Sequence, residues 1–304
     1  MNAIEFILAG MLAAATPMLL AALGELVVER TGVLNLGLEG MMALGAALGF
    51  ITTYTYGSHL LGFGAAALGG AVLSLVFALV VLGFVANQVA AGLAIGILGT
   101  GLSSLFGKSF ESLTITGLPK LALPLLSDVP VIGPTLFVQD IVVWLTLLFA
   151  VGLWAVLNHT KLGLMIRAVG ENPHAARAIG FRVLTIRCLA IAFGGAMAGI
   201  AGAYASTVYT PLWADGMIAG RGWIALALVV FGTWQTGRIA FGAVLFGALS
   251  LGELVTQAGG VNIPSQILAC VPYVVTILML AVISSNRRRM RQNTVASLGQ
   301  PFQP

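Results

Sequence analysis

Long apolar runs alternate along this chain with short polar breaks. Nine runs stand out, at residues 4–24, 38–56, 61–83, 87–106, 138–157, 188–208, 221–235, 239–258 and 265–284. A helix needs about 20 apolar residues to cross the hydrocarbon core of a bilayer. These runs are continuous rather than alternating, so barrel strands are excluded and helices are the spanning element. The pattern predicts an all-α, polytopic integral membrane bundle of eight to ten segments, some of them broken or re-entrant. It forms one transmembrane domain over residues 1–285, followed by a basic tail over 286–304.

Composition agrees with this reading. Of 304 residues, 59% are hydrophobic and 8% are charged, against about 25% charged in a soluble domain. So few charges cannot solvate a water-soluble body. Nine of the 14 Lys and Arg residues lie in two stretches, Lys161, Arg167, Arg177, Arg182 and Arg187, and then Arg287, Arg288, Arg289 and Arg291. Basic residues beside spans stay in the cytoplasm. With the tail fixed there, alternation puts the 158–187 loop in the cytoplasm, and the 107–137 loop and the N-terminus outside. The formal charge of +4 then speaks to topology and to anionic membrane lipid, not to nucleic acid.

Smaller features refine the picture. The 107–137 loop carries several prolines and reads as a compact external cap. From Gln292 onward the tail is mostly polar and is expected to be disordered. Residues Met1 to Glu5 lack a basic region, so the first run reads as a retained span rather than a cleaved leader. Cys188 and Cys270 fall inside apolar runs and read as small core residues. Small-residue faces such as Gly62, Ala66 and Gly70 let helices approach closely.

Three segments interrupt the apolar pattern with functional groups. In the 158–187 loop, Asn172 suits a helix N-cap, Pro173 the first helical position and Gly180 the left-handed residue after the end. The helix between them is too short to stand alone in water and must dock on something. His174 and Arg177 are its polar contacts, Ile179 and Phe181 its apolar ones.

The second segment, Gly24 to Met42, carries Glu25, Glu29, Arg30, Asn35 and Glu39 among several glycines. Ionisable groups at membrane depth are costly unless they pair or line a cavity. Glu29 and Arg30 are expected in an interfacial loop, Asn35 and Glu39 nearer the interior. The third runs from Tyr209 to Leu226, where Arg221 finds either Asp215, a passing solute or, with Trp223, the outer interface. Asn87 and Gln88 bring two amides to the start of a span, and Glu253 is an isolated acid within one.

These segments resemble the permease subunits of bacterial ABC importers in the branched-chain amino acid, ribose and nucleoside branch, above all the nucleoside or simple-sugar type. The resemblance is carried by Lys161-Leu-Gly-Leu-Met-Ile-Arg-Ala-Val-Gly-Glu-Asn-Pro with Ala175-Ala176 and Ile179-Gly180 after it. It is also carried by Glu29-Arg-Thr-Gly-Val-Leu-Asn-Leu-Gly-Leu-Glu-Gly, by Gly216-Met-Ile-Ala-Gly-Arg-Gly-Trp-Ile-Ala-Leu, and by Asn87-Gln-Val. It implies that Arg167, Gly170, Glu171, Asn172, Pro173, Ala175, Ala176, Arg177 and Gly180 couple the chain to an ATPase subunit. The solute pathway would then draw on Asn35, Glu39, Asn87, Gln88, Arg221, Trp223 and Glu253.

The partners so implied are an ATPase with tandem nucleotide-binding domains, a second permease subunit and an extracytoplasmic substrate-binding lipoprotein. All would work at the bacterial cytoplasmic membrane, with the C-terminus inside. Nucleosides are the first expectation for the solute, with sugars, purine-like heterocycles or vitamins as alternatives. An ion-coupled secondary transporter also fits the composition, but it leaves the capped loop helix unexplained. His59, His159 and His174 are scattered, and there is no phosphate-binding loop. The chain is therefore expected to be no enzyme and to need no cofactor, with ATP hydrolysis in a separate subunit.

Overall fold

The computed structural model describes residues 3–122, 138–258, the six residues 270, 271, 274, 275, 277 and 278, and residues 294–302. Ten helices form the described body: α1 Ala3–Arg30, α2 Leu38–Tyr56, α3 His59–Ala78, α4 Gln88–Gly107, α5 Ile141–His159, α6 Lys161–Glu171, α7 Pro173–Ala178, α8 Val183–Tyr204, α9 Arg221–Phe231 and α10 Thr236–Ala258. A π-helical turn extends α3 through Leu79–Gly83 and α8 through Ala205–Tyr209. Two three-residue strands, β1 Lys120–Ala122 and β2 Val138–Asp140, pair antiparallel just ahead of α5. Residues 123–137 of the expected external cap, and the ninth run at 265–284 apart from those six residues, lie outside the described residues.

Among the described residues, six helices are long and apolar enough to cross a membrane: α1, α3, α4, α5, α8 and α10. The expectation for 221–235 changes. That run yields only the 11 residues of α9, about 16 Å at 1.5 Å per residue, roughly half a bilayer core. Gly232 closes it, and residues Thr233 and Trp234 at φ 47° and 54° turn the chain into α10.

Local chemistry sets several boundaries. Asp140 caps α5 by accepting from the N–H groups of Val142 and Val143 at 2.9 and 3.1 Å, and its other oxygen accepts from Tyr204 Oη at 2.7 Å. Gly57 ends α2 in the left-handed region at φ 65°.

Helix α8 is the centre of the bundle, wrapped by α1, α2 and α3, with α4 against α2 and α10 against α1. The crossings are made of bare backbone. A methyl group on Gly40 would fall inside the Gly96 backbone and one on Gly99 inside the Gly40 backbone. One on Gly45 would strike Gly199, one on Gly199 would strike Ala66, and Gly70 and Gly195 block each other. Such small-residue crossings bring helices close enough for extensive dispersion contact, the main source of cohesion where lipid removes the usual hydrophobic drive. The outward faces of α3 and α5 expose Leu60, Leu68, Val72, Leu145 and Leu148, as lipid-facing surfaces do.

Candidate functional site

Two broken stretches of chain meet inside the bundle. The first is 31–37. It does not form the interfacial loop expected around Glu29 and Arg30, because α1 continues through Arg30 and buries both Glu25 and Glu29. Each carboxyl group finds one donor there, while its other oxygen is buried without a hydrogen-bond partner among the described residues. Glu25 Oε1 accepts from the Asn35 N–H at 3.2 Å, and Glu29 Oε2 accepts from the Trp234 indole N–H at 2.6 Å. Arg30 donates to the Trp234 carbonyl at 2.6 Å.

Beyond Arg30 the chain climbs back along α4. The Leu34 N–H meets Gln88 Oε1 at 2.8 Å, Leu36 lies against Gly92, and Gly40 lies against Gly96 and Gly99. Non-helical backbone at membrane depth survives only where its polar groups are satisfied from elsewhere. Here side chains supply the partners. Fully buried Asn35 serves its own turn, accepting from the Gly37 N–H at 3.0 Å and donating to Met41 Sδ at 3.5 Å.

The second broken stretch, 210–220, descends the other half of α4. Trp213 packs on Gly107, Ser104 donates its hydroxyl to Asp215 Oδ1, and Gly220 ends the descent. Gly220 sits at φ 83° and offers no capping side chain of its own to α9. The cap comes instead from Glu39, whose Oε1 accepts from the Gly220 N–H at 3.0 Å. Eight residues separate Gln88 from Gly96, so the meeting point stands about 12 Å along α4.

Glu39 is thus at once the acidic first-turn residue of α2 and the anion at the start of α9. Both helix N-termini favour negative charge there. Glu39, Ala43, Thr100, Ser103, Asp215 and Ile218 line a cavity of about 80 Å³ at the junction. Glu39 Oε2 and Arg221 Nη1 are both buried and without a hydrogen-bond partner among the described residues.

The expected pathway residues therefore separate. Glu39 stands at the junction, with Arg221 at the head of α9 and Asn35 at the foot of α2. Arg221 does not pair with Asp215; its guanidinium lies over the Tyr209 ring, 5.4 Å from the centroid, and Asp215 takes Ser104 instead. Asn87 is spent on the α4 N-cap, accepting from the Ala90 N–H at 3.0 Å. Both ends of the Gln88 amide are occupied, Oε1 by Leu34 and Nε2 by the Gln300 carbonyl at 3.2 Å. Trp223 is 43% exposed on the outer face of α9. Glu253 accepts from Gln257 on α10 at 3.2 Å, away from the junction. Thr100 and Ser103 escaped sequence reasoning because single hydroxyls inside an apolar run give no periodic signal.

A second assembly occupies the end bearing α6 and α7. Asn172 Oδ1 accepts from the Ala175 N–H at 3.0 Å, Pro173 opens α7, and Gly180 follows its end at φ 97°. Pro173 and Ala176 face inward, while Glu171, Asn172, Ala175, Arg177 and Gly180 are exposed. Gly170 is buried so tightly that a methyl group would strike the Arg30 carbonyl. Arg167 lines a groove of about 1130 Å³ with Arg30, Glu171 and Arg238, walled by Leu147, Trp154 and Leu164 among others.

The tail corrects its expectation. Residues 294–302 are docked here rather than disordered, with Val295, Ser297 and Phe302 buried. Their polar composition hid this, because the contacts run through backbone groups. Arg187, expected in the loop, lies fully buried in the first turns of α8 and donates to the Thr31 carbonyl at 3.0 Å.

Among known proteins, 40% identity over 95% of this chain and 94% of the relative links it to a Haloferax volcanii protein named as a glucose ABC transporter permease. A guanosine ABC transporter permease of Bacillus subtilis is 35% identical over 88% of each chain. A nucleoside ABC transporter permease of Lactococcus lactis is 33% identical over 92% of this chain and 93% of its own. A family of transport components that work with ATPase and binding-protein partners therefore accounts for the bundle, the broken helices and the capped loop helix. With its match over residues 7–283, the chain belongs to the permease component family of the branched-chain amino acid transport systems.

Proposed function

We propose that this permease forms half of the translocation pathway of an importer that carries a polyhydroxylated ring, a nucleoside first and a simple sugar second. The junction of the two broken segments at Glu39 and Gly220 carries this reading. Discontinuous helices whose N-termini converge near mid-membrane are the usual construction of a transporter binding site. A ribose or hexose ring presents several adjacent hydroxyls. The carboxylates of Glu39 and Asp215, the hydroxyls of Thr100 and Ser103, and the Arg221 guanidinium supply complementary acceptors and donors. Relatives named for guanosine, nucleosides and glucose support the shared ring as the recognised element.

A cavity of about 80 Å³ holds two or three waters at ~30 Å³ each, too few for a nucleoside. The junction must therefore widen to admit the solute, and transport requires it to open toward each side in turn. Closure of a separate ATPase with tandem nucleotide-binding domains drives that change through α7. A second permease subunit completes the pathway, and an external lipoprotein delivers the solute. The α6–α7 end faces the cytoplasm together with the C-terminus, in keeping with its basic residues. Each ligand shifts the equilibrium only as far as it prefers one conformation over the other.

Uptake of labelled guanosine and of labelled glucose is measured in vesicles containing the co-expressed complex, with and without ATP. ATP-dependent uptake of either ring, abolished by Asn172→Pro with the complex still assembled, supports the proposal. Uptake driven by a proton or sodium gradient without ATP would overturn it in favour of a secondary transporter.

A further inference from the structure

Residues 294–302 touch α6, α7, the start of α8, the start of α4 and the 31–37 stretch. With six residues, α7 is far below the length at which a helix holds itself in water, so its packing decides its position. That packing includes the tail. Phe302 is buried in one cluster with Val169, Ala176 and Val183, its ring 5.1 Å from that of His174 and beneath the Arg187 guanidinium at 5.6 Å.

The contacts continue toward the bundle. The Ser297 N–H donates to the Gly170 carbonyl at 3.0 Å, and the Ser297 hydroxyl donates to the same oxygen while accepting from Arg187 Nη2 at 3.2 Å. The Gly299 N–H donates to the Gly32 carbonyl at 3.2 Å, and the Gln300 carbonyl accepts from Gln88. Gly32 opens the broken stretch that ends at Glu39, and Gln88 holds that stretch at Leu34.

We infer that the C-terminal segment is a strut of the transport cycle, in which Phe302 and Ser297 are positioning residues that carry displacement of α7 to the 31–37 stretch. This rests on the reading of α7 as the ATPase contact. What favours a strut over simple packing is where the tail binds: it bridges the α6–α7 corner to 31–37 and α4. The backbone of 31–37 is held by side chains and tail groups rather than by its own helix, which suits it to shift.

The test uses the co-expressed complex with Phe302→Ala, Ser297→Ala and the conservative Phe302→Tyr. Guanosine and glucose uptake per ATP hydrolysed is read beside assembly, and hydrogen exchange is read at the α7 amides. The expected result is an assembled Phe302→Ala complex that still hydrolyses ATP but moves at least tenfold less solute per ATP. Ser297→Ala should fall at least threefold, and Phe302→Tyr should restore most of the ratio. An unchanged ratio in both alanine variants overturns the inference. So does loss of assembly in both, which marks the segment as structural only.

If the wild-type complex shows no ATP-driven uptake, the importer reading fails by itself. Hydrogen exchange then still judges the strut. Exchange at α7 at least tenfold faster in Phe302→Ala supports it, and unchanged exchange overturns it.

Discussion

Replacing Glu39 by Ala separates a solute-handling role from a capping role. The substitution removes a hydrogen bond from a carboxylate to the Gly220 N–H, worth about 1.5–3 kcal/mol for a charged acceptor. It also removes an anion from two helix N-termini, at about 0.3–1 kcal/mol each. Against this, Oε2 is buried without a partner, and releasing such a group returns about 1–3 kcal/mol. The opposing terms leave a net loss of about 1.5 kcal/mol, a melting shift of about 3 °C in a chain of this size. Melting of the detergent-purified protein by intrinsic tryptophan fluorescence checks that figure. If Glu39 handles solute, ATP-driven uptake in the same preparation falls at least tenfold, far more than so small a shift explains. Uptake within twofold of wild type in the assembled complex would refute the assignment of Glu39 to the pathway.

Other substitutions test neighbouring contacts. In Gly222→Ala the new methyl group would stand 2.5 Å from Glu39 Cα and 2.7 Å from its N. Forcing α2 and α9 apart should cost about 1–3 kcal/mol, seen as a lower melting temperature; an unchanged melt would show that the helices separate freely. Gln88→Leu strands the Leu34 N–H and the Gln300 carbonyl. Hydrogen exchange over 31–37 should then accelerate by about a factor of ten, since one unsatisfied buried group costs about 1–3 kcal/mol. Trp234→Phe keeps most of the ring but deprives Glu29 Oε2 of its donor, and should lower the melting temperature by several degrees on the same scale. Asn172→Ala should cost α7 about 1 kcal/mol through its cap, read as faster local exchange with the melt of the whole protein unchanged.

Hydropathy made most of the fold legible, because lipid leaves few alternatives to a helix wherever the chain stays apolar. The capped α7 was legible too, since Asn172, Pro173 and Gly180 each meet a local stereochemical need without tertiary help. The breaks were harder to read. Glu29 looked like an interfacial charge because its donor, the Trp234 indole, lies 205 residues away. Arg221 invited a pairing with Asp215 by proximity in sequence, whereas α4 captures Asp215 through Ser104. The tail escaped for a related reason: Ser297 and Gly299 dock through peptide groups, which every residue carries.

The glycine crossings around α8 have a mechanical consequence. Interdigitated side chains lock two helices in register, because each knob must leave its hole before the pair can translate. Gly45 and Gly199, and Gly70 and Gly195, meet backbone to backbone and bring no side chains of their own to lift. These contacts resist being pulled apart yet offer little friction along their length, like a bearing race. Helices around α8 should therefore accommodate the change of access by sliding a few ångströms along its axis. Bulky residues at these glycines would then arrest the motion even where the fold tolerated them.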